Sequence, residues 1–185
     1  MKKIFFSYGR EDYGWLRTIL NYLEPLEKEH EVIFWTDLNI LPGEVWEDTI
    51  RQNIAESNIT VSILSPNYLA SKFVRDYELA AISEIAKEEE LIISGIVVES
   101  LNIEMASFPE NFQLLNDPTK PLCELGKTEL YDTLADILRK LKELIDRSNK
   151  FICKDAIFPT IGRNVNMFLE AEMILRKRAG NDRGA

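Results

Sequence analysis

One carboxylate in this sequence stands where a carboxylate is costly. Across 67–90 the apolar residues recur at helical spacing, and at roughly 100° per residue Val74, Ala81, Ile82, Ile85 and Ala86 all project within about 80° of Glu78. Asp76, Glu84 and Lys87 fall on the far side. A carboxylate inside an apolar stripe needs either a basic partner, for which Arg10 and Arg75 are candidates, or a cavity in which its charge has work to do.

Other chemistries fail on residue type or spacing. Gly126-Lys127-Thr128 resembles the end of a phosphate loop, but Pro121 occupies the required earlier glycine position and no strand directly precedes it. No GxGxxG follows the first strand, so a Rossmann dinucleotide site is not supported. The single histidine, His30, lies in the polar Glu29-His30-Glu31 connection, which argues against a triad with a histidine base. Cys123 and Cys153 form no CxxC pair, so neither a zinc site nor a disulfide framework is expected. Asn58-Ile59-Thr60 matches a glycosylation sequon, but it enters a core strand and reads as chance. A phosphoacceptor receiver is disfavoured too, because the first strand ends without paired acids and the third ends in Ser65-Pro66.

The elements that must position Glu78 follow from periodicity. Residues 3–8 are a short β-rich run, and Trp15, Leu16, Ile19, Leu20 and Leu23 then repeat at helical spacing. A second strand is predicted at 31–35 (EVIFW), followed by a loop through 36–44 that holds Pro42 and Gly43. A helix over 45–57 carries Val45, Trp46, Ile50 and Ile54 on one face, and a third strand spans 59–65. Residues 67–90 supply the loop and helix that carry Glu78, and 91–98 (LIISGIVV) is apolar throughout, as a strand buried on both faces would be. Prolines 109, 118 and 121 break the next region, where 120–123 is expected to add a short edge strand. The helix over 128–147 has an apolar stripe from Leu130 to Ile145.

Strands alternating with helices imply an α/β domain, a parallel sheet of four to five strands covered on both faces. Ligands in such sheets bind outside the carboxyl ends of the strands, which selects Ser7, Tyr8, Gly9, Arg10 and Asp12, then Thr36 and Asp37, then Ser65, Pro66, Asn67 and Tyr68.

The 185 residues, 45% hydrophobic, suffice for one domain and an appendage. A formal charge of -9 argues against bulk nucleic-acid binding. The sign is uneven: 148–185 holds 7 basic and 4 acidic residues, leaving 15 against 27 in 1–147. That shift sets a boundary between a domain at 1–147 and a basic extension at 148–185, whose Val165, Phe168, Leu169 and Leu175 predict a helix closed by Arg176-Lys177-Arg178. No apolar run of about 18 residues and no signal-peptide pattern occurs, so a cytosolic protein without membrane attachment is expected.

The motifs in order resemble a bacterial Toll/interleukin-1 receptor (TIR) domain. They are Ile4-Phe5-Phe6-Ser7-Tyr8 with Glu11-Asp12, Phe34-Trp35-Thr36-Asp37, Ile40-Leu41-Pro42-Gly43-Glu44-Val45-Trp46, Ile63-Leu64-Ser65-Pro66-Asn67-Tyr68-Leu69, and residues 71–79. The later strand and helix extend the likeness to about residue 147. The resemblance implies a flavodoxin-like fold and, in enzymatic members, cleavage of the nicotinamide–ribose bond of NAD by a glutamate that corresponds to Glu78. NAD enters as substrate; no cofactor and no metal is implied. Arg10 is then the candidate for the pyrophosphate, because a guanidinium offers forked donors and permanent charge. Phe6, Ser7, Tyr8 and Trp46 join it as substrate-facing candidates, the aromatics either against nucleotide rings or in the core. Asp37 and Ser65 are expected to shape the surrounding loops.

The sequence departs from the family in one respect. Enzymatic members often place Trp four residues before the glutamate, where this chain has Val74, so the aromatic partner is expected from Phe73 or Tyr77. The resemblance further implies TIR-to-TIR assembly through the Pro42-Gly43 loop, a product that is linear, cyclic or conjugated ADP-ribose, a downstream effector that responds to it, and service in anti-phage immunity. The alternative is a non-enzymatic interaction module that acts by homotypic assembly.

Overall fold

The computed structural model describes residues 1–30, 32–88, 90–102, 108–109 and 111–148. Five strands form one sheet: β1 (Lys2–Ser7), β2 (Val32–Trp35), β3 (Ile59–Leu64), β4 (Ile92–Val97) and β5 (Gln113–Leu114). Their order is β2-β1-β3-β4-β5, and every pairing is parallel. This is the flavodoxin-like order, with its switch point between β1 and β3.

Alternation along β1 divides the core. Phe6 and Ile4 face the layer of α1 (Tyr13–His30) and α5 (Lys127–Arg147), where Leu16, Ile19, Leu23, Ile137 and Leu141 are buried. Phe5 faces the other layer, of α2 (Trp46–Ala55) and α4 (Leu79–Glu88), with Trp35, Ile50, Ile54, Ala81 and Ile82. All six residues of β3 are buried, as expected for a central strand covered on both faces. The sequon is inside as well: Asn58 is buried, and its Oδ1 accepts from the Lys3 amide at 2.9 Å.

Two expectations are corrected. The edge strand is Gln113–Leu114, not 120–123. Asn116 follows it, and its side-chain amide accepts from Val97 N at 2.8 Å and donates to Val97 O at 2.9 Å, replacing ladder bonds that a backbone would make. Pro121 has no N–H to offer, and Leu122–Glu124 closes into a 3-10 turn instead. Val45 does not join the buried face of α2; it is the residue before the helix and 65% exposed. In the loop expected to mediate assembly, Ile40 packs partly against the core beneath α2 and α4.

The segment after β3 is broken in two. Ser65 caps α3 (Pro66–Ala70) by accepting from Tyr68 N at 3.0 Å, with Pro66 in the first helical turn. A second helical segment begins at Lys72, passes through a π-turn, Val74–Glu78, in which Leu79 N–H donates to Val74 O, and continues as α4. Of the 148–185 extension only Ser148 is among the described residues. Its amide and hydroxyl both donate to Ile145 O, and it closes α5. Among the described residues no helix is long and apolar enough to cross a membrane.

Candidate active site

The carboxyl ends of β1, β2 and β3 open into a cleft of about 340 Å³, within the range of small-molecule sites. Tyr8, Arg10 and Glu11 line it from beyond β1, Asp37 from beyond β2, Trp46 from α2, Asn67 and Ala70 from α3, and Phe73, Val74 and Glu78 from the second helical segment.

Glu78 is 5% exposed. The π-turn packs five residues into a wider coil than an α-helix and turns both Val74 and Glu78 inward. Ser7 Oγ donates to Glu78 Oε2, and Tyr68 OH stands 3.1 Å from the same Ser7 Oγ. Burial pushes the Glu78 carboxyl up to about 8; the Ser7 hydrogen bond opposes that rise, and the negative charge of Asp37 adds to it. The basic partners that the sequence suggested stand elsewhere. Arg75 pairs with Asp76 at 3.4 Å, and the Arg10 guanidinium lies over the Trp46 ring at 5.5 Å. Among the described residues no ion pair reaches Glu78.

Around it the site is polar and aromatic by turns. Tyr8 OH donates to Asp37 Oδ1 at 2.7 Å. Burial raises the Asp37 carboxyl, against the opposing effects of the Tyr8 hydrogen bond and the Arg10 charge, and burial and then Asp37 hold the Tyr8 hydroxyl firmly neutral. Trp46 stacks on Phe73 with centroids 4.2 Å apart, and Tyr77 also stacks on Phe73, at 5.4 Å.

The sequence-predicted residues thus divide. Tyr8, Arg10, Asp37, Trp46, Phe73 and Glu78 meet in the cleft, with Ser7 directly behind the glutamate. Phe6 is core, edge-on to Phe34, and Ser65 is a buried helix cap; neither lines the cleft. Tyr77, 48% exposed, faces a neighbouring groove with Glu47 and Arg51.

Two residues of the site's frame carried no assigned role in the sequence reading. Asp12, 2% exposed, accepts from Ser65 Oγ at 2.6 Å and from Asn67 Nδ2 at 3.4 Å, tying the turn after β1 to the start of α3. Gly9 makes that approach possible, because a Cβ there would stand 2.8 Å from Asp12 Oδ2 and 3.1 Å from Tyr68 N. Tyr68 is fully buried and reaches Ser7 and Ser62. The signal for both was their place at strand ends, but an aspartate in a turn and a tyrosine after proline carry no mark of burial.

Residues 4–116 match the sequence profile of the TIR domain. The chain belongs to the TIR-domain family. This TIR domain is similar to the uncharacterized protein y4lF of Sinorhizobium fredii, with 26% identity over 108 residues, or 58% of this chain and 33% of that protein. The chain therefore spans about a third of the length of that relative. Among solved structures it is similar to the TIR domains of the activated Roq1 resistosome that directly recognizes the pathogen effector XopQ, at 17% identity and a TM-score of 0.44, covering 92% of this chain and 99% of that one.

Proposed function

We propose that this TIR domain cleaves the nicotinamide–ribose bond of NAD, with Glu78 as the catalytic carboxylate. The observation that carries the reading is a buried carboxylate that, among the described residues, has no counter-ion and lines a cleft on the carboxyl ends of the strands. Such a group is costly to the fold, and groups of this kind cluster at functional sites.

The chemistry is heterolytic. The bond from ribose C1′ to the pyridinium nitrogen breaks, both electrons leave with nicotinamide, which becomes neutral, and positive charge spreads over C1′ and the ring oxygen. Glu78, ionised, stabilises that charge or holds a ribose hydroxyl. Attack by water on C1′, with loss of its proton, yields ADP-ribose; attack by an adenine nitrogen yields a cyclic isomer, and another acceptor a conjugate. With its carboxyl held at about 8, Glu78 is mostly protonated at neutral pH in the empty site. The cationic nicotinamide of bound NAD favours the ionised form, so substrate binding itself releases the proton. Arg10 serves the pyrophosphate by leaving the face of Trp46, which frees that face for a ring of the substrate.

The second reading, an interaction module acting by assembly, draws on the loop between β2 and α2, where Leu38, Leu41 and Val45 are 46%, 59% and 65% exposed. Self-association and catalysis are compatible, and a cytoplasmic anti-phage signal that activates a downstream effector would use both. Incubating the purified full chain with NAD, alone and under crowding, and identifying the products by mass spectrometry tests the enzymatic reading. Release of nicotinamide supports it; intact NAD under every condition leaves the assembly module.

A further inference from the structure

Behind Glu78, away from the cleft, runs a line of three buried hydroxyls. Ser7 Oγ–H donates to Glu78 Oε2, the Ser7 and Tyr68 oxygens lie 3.1 Å apart, and Tyr68 OH donates to Ser62 Oγ at 2.9 Å. Ser7, Tyr68 and Ser62 are each no more than 1% exposed, so no bulk water supplements these bonds.

Hydroxyls both donate and accept, and each carries a single hydrogen. With Glu78 ionised, the carboxylate accepts only: Ser7 must give it its hydrogen, and Tyr68 points to Ser7 or Ser62. With Glu78 protonated, the carboxyl O–H needs an acceptor. Ser7 takes that hydrogen and turns its own to Tyr68, which donates to Ser62. In both states the hydrogens of Glu78, Ser7 and Tyr68 each have an acceptor.

We propose that Ser7, Tyr68 and Ser62 are positioning residues, a hydroxyl chain that reverses direction as Glu78 gains or loses its proton and so keeps the carboxyl hydrogen-bonded in both states. The inference deepens the reading of Glu78 as the group that must ionise to act. Without such a chain, a buried carboxyl would be trapped in whichever state its one partner served. The other titratable groups facing Glu78 are Tyr8 from the end of β1, Arg10 and Glu11 from the turn after it, and Asp37 from the end of β2. All of them stay constant across the variants below, as do Arg75, Asp76 and Tyr77 on its own turn.

The chain predicts opposite shifts at its two links. Ser7→Ala removes the donor to the charged form, so ionisation becomes harder; Tyr68→Phe removes the acceptor that Ser7 needs when Glu78 is protonated, so ionisation becomes easier. The experiment follows the Glu78 carboxyl carbon by NMR in the full chain labelled with ¹³C glutamate, without NAD, with the resonance assigned by its absence in Glu78→Gln. The parent midpoint is expected well above the ordinary carboxylate range, near 8, because the carboxyl is buried. Ser7→Ala should move the midpoint up by about one pH unit or more, and Tyr68→Phe should move it down by roughly half a unit. Ser7→Thr, which keeps the hydroxyl, should restore the parent midpoint. Unchanged midpoints, or shifts of both variants in one direction, would overturn the proposal. Should Ser7→Ala not fold, the sign of the Tyr68→Phe shift decides alone. Because no substrate is present, an inactive parent would sink the NAD reading and leave this result standing.

Discussion

Trp46 and Phe73 lie face to face, their ring planes inclined by 13°. They come from different helical segments, Trp46 from the first turn of α2 and Phe73 from just before the π-turn that carries Glu78. The position four residues before the glutamate, Val74, is buried with Leu64 and Val97. The aromatic wall of the cleft is thus assembled across the fold.

That pair sets a first prediction. Phe73 stacks on Trp46 and the Arg10 guanidinium lies over the same ring, so a substrate ring gains room on Trp46 when the guanidinium moves to phosphate. Trp46→Ala should raise KM for NAD by roughly three- to tenfold, the worth of a stacked ring, with a smaller change in kcat. Steady-state kinetics decides it, and an unchanged KM would place the substrate away from this wall.

Assembly gives the second. Ile40 is partly anchored in the core, so only Leu38, Leu41 and Val45 are free for a partner surface. Leu41→Asp with Val45→Asp should therefore weaken self-association under activating conditions while leaving the melting temperature within about a degree, as surface substitutions do. Sedimentation velocity reads the first and calorimetry the second; unaltered sedimentation removes this loop as an interface.

The third concerns the extension. Ser148 closes α5 with two bonds to Ile145 O, and among the described residues the core of the α1 and α5 layer runs to Leu144 and Ile145. A chain ending at Ser148 should remain soluble and melt cooperatively. Aggregation or a broad transition on that cut would show residues 149–185 to be integral to the domain.

Much of this was legible in the sequence because it rests on period. The first four strands needed only short apolar runs, and Glu78 stood out because a carboxylate broke a stripe of Val74, Ala81, Ile82 and Ile85 that is indeed buried. What escaped rests on single contacts between distant segments. Gln113–Leu114 is too short to show alternation, and its neighbour Asn116 completes the pairing with a side chain. The π-turn leaves no periodic trace, and the burial of Asp12 depends on Ser65 and Asn67, over fifty residues away. Phe6 and Tyr77 were placed near the substrate by type, but alternation along β1 turns Phe6 into the core and the turn after Phe73 carries Tyr77 outward.

The raised Glu78 carboxyl makes a fourth prediction, in two parts. If the ionised form is the active one, kcat/KM should climb about tenfold per pH unit below 8 and level off above it, while the limb in kcat lies lower because bound NAD favours ionisation. Stability runs the other way. A folded-state value of about 8 against an ordinary 4.5 means that the folded protein holds this proton more tightly than the unfolded chain. The contribution is fully present below about 4.5 and is lost as pH rises through 8, on the order of a few kcal/mol. The difference in melting temperature between Glu78→Gln and the parent should therefore grow in favour of Gln across that window. A difference that is flat with pH would show the carboxyl to titrate normally.

The same substitution decides the catalytic role. Glu78→Gln keeps the length of the side chain and still accepts from Ser7 but cannot carry negative charge, so it tests electrostatics with packing held constant. If the carboxylate stabilises a cationic transition state, its removal should slow nicotinamide release about a hundredfold or more. Gln also needs no proton to enter the buried site, whereas the glutamate, ionised in the unfolded chain at neutral pH, must take one up on folding, so the variant should melt at or above the parent temperature there. A structural ion pair would give the opposite pattern, a lower melting temperature from a basic group left buried and unpaired, with turnover falling only as far as folding fails. Arg10 and Arg75 are both engaged elsewhere, with Trp46 and Asp76, which favours the first pattern. Calorimetry and nicotinamide release on one preparation separate them, and a destabilised but active Gln variant would take Glu78 out of the chemistry.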